Sequence, residues 1–246
     1  MFRYRKGRIR SFKHNLQIAS ILSFVAGMVN VTGFLSVQEL TTNVTGHFAF
    51  FVDEVFKFNF IKGFVILLFV LFFLLGSFVS SFILEFMYKK RNIYLYIIPA
   101  IMEAIILFFV ALWGQNLIKL RPEYLAYLLL FSMGLQNSLV TSVSNSKVKT
   151  THLTGLFTDL GIELSQLFFY KEPTQNKQLK LSIQLRLAII CFFFLGGFTA
   201  GVFYTKLQLK VLMIAGTILL SGTTYDYIKL YLILLRRKYK YRNFRQ

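Results

Sequence analysis

Thr41-Thr-Asn-Val-Thr-Gly-His-Phe48 returns 109 positions later as Thr150-Thr-His-Leu-Thr-Gly-Leu-Phe157. The match has company on both sides. Upstream, Gly27-Met-Val-Asn30 pairs with Gly134-Leu-Gln-Asn137 at an offset of 107. Downstream, Phe72-Phe-Leu-Leu-Gly76-Ser-Phe78 pairs with Phe192-Phe-Phe-Leu-Gly196-Gly-Phe198 at an offset of 120. The order is kept and the offsets drift only where loops intervene. The chain therefore reads as a duplication of residues 16–118 onto 123–225.

The sequence around these motifs is apolar. Of 246 residues, 56% are hydrophobic and 15% charged, with 29 Phe and a mean hydropathy of +0.59. Too few polar residues exist to cover a soluble basic domain, and the apolar content excludes disorder. Runs free of Asp, Glu, Lys and Arg cover residues 16–38, 63–84, 124–146 and 187–205. Each matches the ~20 helical residues that cross about 30 Å of hydrocarbon. Residues 92–118 are broken only by Glu103, and 211–225 lengthens if Lys210 reaches the interface. The expected fold is thus an all-α polytopic membrane protein of six spans. The Thr-Thr segments, 41–56 and 150–170, are the ambiguous stretches, being rich in Thr and Gly and carrying acids.

The formal charge of +18 orients the spans. With neither Thr-Thr segment crossing, 22 of the 28 Lys and Arg fall on one side. They come from the arm 1–15, the 89–91 turn, the central loop and the tail 226–246. Basic loops mark the cytoplasmic side, so both termini are expected there. The first apolar run is too long for a cleaved signal peptide and no small-x-small site follows it. The tail reads as an interfacial segment held by anionic lipid, and nothing supports nucleic-acid binding. The single cysteine, Cys191, excludes a disulfide framework and reads as packing.

Three spans per repeat is an odd number, so the two repeats would sit in opposite orientations, a plan shared by many secondary transporters. Each Thr-Thr segment would then be a re-entrant or half-helix piece approaching the midplane from its own face. Irregular backbone survives at that depth only inside protein or beside a wet cavity. Thr hydroxyls are expected to cap the helix start, and Gly46 and Gly155 to permit close approach. An exposed half-helix N-terminus attracts anions or polar oxygens. The candidate solute-binding residues are Asn30, Thr42, Thr45, Gly46, Asn137, Thr151, Thr154 and Gly155. The same small residues also serve tight helix packing, a reading with no ligand at all.

Phe24-Val-Ala-Gly-Met-Val-Asn-Val-Thr-Gly-Phe-Leu35, Thr42-Asn-Val-Thr-Gly46, Gly134-Leu-Gln-Asn137, Thr150-Thr-His-Leu-Thr-Gly155 and Thr158-Asp-Leu-Gly161 resemble the YoaK-like bacterial membrane proteins, a domain-of-unknown-function family. The resemblance covers about residues 16–225. It implies a multi-pass protein of the bacterial cytoplasmic membrane and supplies no substrate. Two departures stand out: Asn30 occupies a position usually acidic, and His47 one usually Asn.

Glu103 is the carboxylate inside the 92–118 run. At a cost of about 2.5–3.5 kcal/mol in hydrocarbon it should face the bundle interior or water, as a proton or cation carrier or as an interhelical anchor. Asp159 and Glu163 share a helical face and suit cation or proton binding, or a solvated surface. His47 and His152 do not occupy equivalent repeat positions, so no metal pair is expected. No cofactor and no catalytic constellation is expected. The leading function is transport or permeation of a small polar solute or ion at a midplane site between the repeats, with Glu103 and Asp159 in coupling. The alternatives are a non-transporting scaffold or complex partner, and a lipid-modifying enzyme. Partners are the bilayer and its anionic lipid, and a homo-oligomer stays open, since Gly76-Ser77 and Gly196-Gly197 suit packing within or between subunits.

Overall fold

A computed structural model describes residues 12–89, 97–143, 152–170, 172–225 and 228. All the regular structure among them is helical. The elements are α1 (Phe12–Val37), α2 (Val44–Phe56), α3 (Phe60–Lys89), α4 (Ile97–Leu120), α5 (Pro122–Val143), α6 (Leu153–Phe169) and α7 (Pro173–Leu207). A short 3₁₀ turn, Gln208–Lys210, leads into a last helix, α8, over 211–225.

Five stretches are long and apolar enough to cross a membrane: Leu16–Val37, Phe60–Met87, Ile97–Leu120, Pro122–Ser142 and Pro173–Tyr225. The last is folded back on itself. Gln208, the C-cap of α7, has φ 50°, outside the right-handed helical region, so α7 stops there. Gly196 of α7 meets Phe24, and Gly222 of α8 meets Ile21, so residues 26 apart in sequence lie at one level of α1. A straight helix would separate them by about 39 Å. The α7 helix also begins 14 residues before the charge-free run that starts at 187, because Pro173 suits a first helical turn and residues 173–186 hold α6.

The outer surface is inverted relative to a water-soluble protein. Phe64, Leu71, Leu74, Phe78 and Phe82 all project outward from α3, Phe78 with 62% of its surface exposed. A contiguous apolar face of this size needs a lipid solvent. Inside, α1 and α5 lie side by side and antiparallel: Gln136 Nε2 donates to the Leu22 carbonyl at 2.5 Å, and Leu129 lies beside Gly33.

The two most extensive helix contacts are α1 with α7 and α3 with α5. Glycines let the backbones touch. A Cβ added to Gly27 would stand 2.0 Å from the Phe193 carbonyl oxygen, and one added to Gly134 2.2 Å from that of Phe73. Likewise a Cβ on Gly196 would meet Phe24 O at 2.0 Å, and one on Gly76 would meet Phe131 O at 2.1 Å. Ser77 Oγ donates to the Gly134 carbonyl at 3.2 Å, tying the second crossing further. These are the glycines of the repeated motifs, and each packs against a helix from the other motif set.

Candidate functional site

After α1 ends at Val37 the chain turns back inward. Gln38 has φ 60°, and the Thr41 methyl carbon comes to lie against Gly33. Thr42 Oγ1 then donates to Asn30 Oδ1 at 2.9 Å. Asn30 is seven residues from the end of α1, about 10 Å in from that end. From this depth α2 runs outward for 13 residues and forms a hairpin with α3. The cap on its N-terminus is Asn43, whose Oδ1 accepts from Gly46 N at 3.0 Å. Thr hydroxyls do not perform that role. Gly46 carries no Cβ because one would stand 2.7 Å from the Asn43 amide nitrogen. The α6 helix repeats the plan at the other end of the bundle. His152 is its N-cap residue, without a side-chain cap bond, and a Cβ on Gly155 would press on the His152 ring at 2.4 Å.

Each short helix is pinned to the next by a glutamate. Glu54 Oε1 accepts from Lys62 Nζ at 2.6 Å, and Glu163 Oε1 accepts from Ser182 Oγ at 2.6 Å. Extending the motif offset of 109 carries Glu54 onto Glu163, and the offset of 120 carries Lys62 onto Ser182. The sequence held that signal, and it lay outside the quoted motifs. On α6 the missing charge comes from Arg186, whose Nε donates to Glu163 Oε2 and whose guanidinium donates to Asp159 Oδ2, both at 2.8 Å. Asp159 and Glu163 therefore share one arginine.

The remaining candidate residues separate. Asn30 and Thr42 are joined. Asn137 stands about 10 Å from the level of Asn30 along the α1–α5 contact. Its Oδ1 is buried without a partner among the described residues. Thr45 and Thr154 are exposed on the first turns of α2 and α6. Thr151, the 89–91 turn beyond Lys89, the N-terminal arm and most of the basic tail lie outside the described residues. The α2 and α6 helices each pack on their own neighbour, α3 and α7, without extensive contact between them. An open pocket of about 520 Å³ lined by Pro173, Asn176, Lys177 and Lys180 lies at the start of α7, remote from the α2 side.

Glu103 is 0% exposed, and neither carboxyl oxygen has a partner among the described residues. Its position follows from register. In the α4–α5 hairpin Gly114 touches Leu125. Eleven residues back from Gly114 is Glu103, and eleven on from Leu125 is Gln136. Eleven residues return to within about 20° of the same helix face, so Glu103 stands at the level of Gln136. Gln136 donates from its amide to Leu22 O, and its Oε1 has no partner among the described residues. Sequence reading named Glu103 and passed over Gln136, whose repeat equivalent is Val29.

A second polar group gathers where the chain turns into α2. His47 is 1% exposed, and its Nε2 lies 2.8 Å from the Leu40 carbonyl, which fixes the proton on Nε2. Its bare Nδ1 faces Glu39 Oε2 at 3.8 Å. Burial pushes the Glu39 carboxyl above the ordinary glutamate range; Lys62 opposes this and Glu123 adds to it. A carboxyl so shifted holds its proton more tightly folded than unfolded. Its stability contribution is full below the ordinary glutamate range and is lost as pH rises through the raised value. Glu39→Gln is expected to flatten that slope in thermal unfolding measured across acidic to neutral pH in detergent.

The all-helical fold, its lipid-facing apolar surface and its spanning stretches define a polytopic membrane protein. Residues 18–225 match a family of proteins of unknown function, DUF1275, and the chain belongs to it. No curated protein and no solved structure matches the chain significantly.

Proposed function

We propose that this chain is a YoaK-like bacterial inner-membrane transporter or channel for a small polar solute or ion, built from two inverted three-span repeats with both termini cytoplasmic. The observation that carries the reading is the pair of half-helices. The α2 and α6 helices start at depth, run to opposite ends of the bundle, and are followed by equivalent glycine crossings. The equivalence is residue by residue: Gly27 on Phe193 corresponds to Gly134 on Phe73, and Gly196 on Phe24 to Gly76 on Phe131. The hairpin at Gln208 supplies the sixth crossing. Half-helix N-termini at depth present free N–H groups and partial positive charge to a polar ligand. On the α2 side Asn30 and Thr42 stand beside that terminus.

Glu103, buried at the level of Gln136, is the coupling group in this scheme. Proteoliposomes holding the full chain should move some member of a panel of amino acids, sugars, polyols and inorganic ions. Glu103→Gln should change that flux at least about tenfold while leaving the purified protein folded, because the substitution keeps shape and removes the titratable oxygen. An absence of flux and of ligand-induced stabilisation across the panel, together with a stoichiometric co-purifying protein, would establish the scaffold reading instead.

A further inference from the structure

The cluster around the turn into α2 contains buried polar atoms without partners among the described residues. His47 Nδ1 is bare because Nε2–H is committed to Leu40 O. Glu39 Oε2 faces it at 3.8 Å, too far for a hydrogen bond, and Glu39 keeps 32% of its side-chain surface open to the outside while His47 keeps 1%. Glu123 Oε2, on the facing helix α5, is buried without a partner among the described residues, and so is Thr41 Oγ1 beside the same turn. The charged surroundings are few. On α2, Glu54 is bound to Lys62 of α3, while Asp53 pairs with Lys57 on the outer side. On α5 stand Glu123 and Tyr127. Lys62 is the cation acting on Glu39, while Arg121 and Tyr124 stand with Glu123 near Tyr127, and Lys57 lies near Glu54.

We propose that Glu39 and His47 form a proton-binding site at the mouth of the re-entrant segment, with one proton held between a Glu39 carboxyl oxygen and His47 Nδ1. The proton comes from and returns to external water; no other bond forms or breaks. No three His, Cys, Asp or Glu side chains among the described residues converge closely enough to hold a metal ion, which favours the smaller occupant. Binding closes the 3.8 Å gap to about 2.8 Å. Glu39 lies three residues before Thr42, so this closure draws the turn that holds Thr42 against Asn30. The site stands on its own geometry; only its role in coupling rests on the transport reading, where it makes the proton the coupled ion.

The test needs no substrate. The full chain in nanodiscs, carrying ¹³C-carboxyl glutamate and ¹⁵N-histidine, is titrated with acid while infrared absorption follows carboxyl protonation and NMR follows the imidazoles. A carboxylic-acid band titrating above the ordinary glutamate range, lost in Glu39→Gln, is expected. His47→Gln should weaken proton affinity at that band about tenfold, a shift of one pH unit, and the wild-type His47 ring should show the Nε2–H form at neutral pH. If Glu39→Gln fails to fold, Glu123→Gln serves: removing the repulsion of a neighbouring carboxylate should lower the midpoint. A Glu39 band in the ordinary range, or one indifferent to His47→Gln, overturns the site. Loss of the band with a shifted His47 resonance on adding micromolar zinc at fixed pH overturns it in favour of a metal. Flux without this band would leave transport standing and remove the proton site alone; the band without flux would do the reverse.

Discussion

Gly27→Ala is expected to destabilise the folded protein by about 3 kcal/mol or more, with Gly27→Leu preventing assembly altogether. The added Cβ would stand 2.0 Å from the Phe193 carbonyl oxygen and 3.0 Å from Gly197 N. Both are backbone atoms, so no rotamer change relieves the clash and α1 must separate from α7. Overpacking a well-fitted contact typically costs 1–3 kcal/mol even where side chains can move. The same cost should appear at Gly76, Gly134 and Gly196, whose added Cβ atoms meet carbonyl oxygens at 2.0–2.2 Å. Gly161 and Gly201 are the controls. They sit in helices and a Cβ on either meets nothing within 4 Å. Alanine there should be neutral or stabilising by up to about 1 kcal/mol through helix propensity. Thermal unfolding followed by size-exclusion chromatography separates the groups. For a chain of this size about 3 kcal/mol is a fall of roughly 6–12 °C. Equal melting temperatures for Gly27→Ala and Gly201→Ala would sink the crossing as a determinant of the fold.

The same glycines show what was readable beforehand. Their recurrence at offsets of 107 and 120 disclosed a duplication, because a repeated motif is a one-dimensional fact. Which helix each glycine would touch is three-dimensional. Sequence position alone does not say whether these glycines pair within a repeat or between repeats. In the structure Gly27 meets α7 and Gly76 meets α5, an exchange that local pattern does not encode. The spans were legible because charge is excluded from them. The cap of α2 was assigned to Thr and belongs to Asn43, since either chemistry satisfies the free N–H groups and only geometry chooses. Glu103 stood out as a lone acid in an apolar run, whereas Gln136 looked like one polar residue among several. Glu39 and His47 are eight residues apart across a turn whose inward fold at Gln38 nothing in the composition announces.

Arg186 is the second position where a large effect is expected, and the repeat supplies its own rescue. Its side chain is 20% exposed and Glu163 14% exposed, so the pair is largely withdrawn from bulk water. Removing the cation strands Glu163 and leaves Asp159 unpaired. Breaking a buried pair from one side costs about 3–5 kcal/mol, more than the intact pair contributes, because the remaining charge keeps its desolvation cost. Arg186→Gln should therefore lower stability by about that amount and loosen α6 from α7, visible as faster amide exchange in Leu153–Phe169. At the equivalent place in the first repeat the cation sits one turn earlier: Lys62, where the second repeat has Ser182. Ser182→Lys in the Arg186→Gln background should then restore much of the loss, since a lysine there meets Glu163 as Lys62 meets Glu54. Lys62→Gln alone should cost less than Arg186→Gln, because Lys62 is 62% exposed and water can replace part of its contact with Glu54. If Ser182→Lys fails to rescue while Arg186→Lys succeeds, the two short helices are held by unrelated devices. The correspondence of Glu54 with Glu163 would then be an accident of alignment.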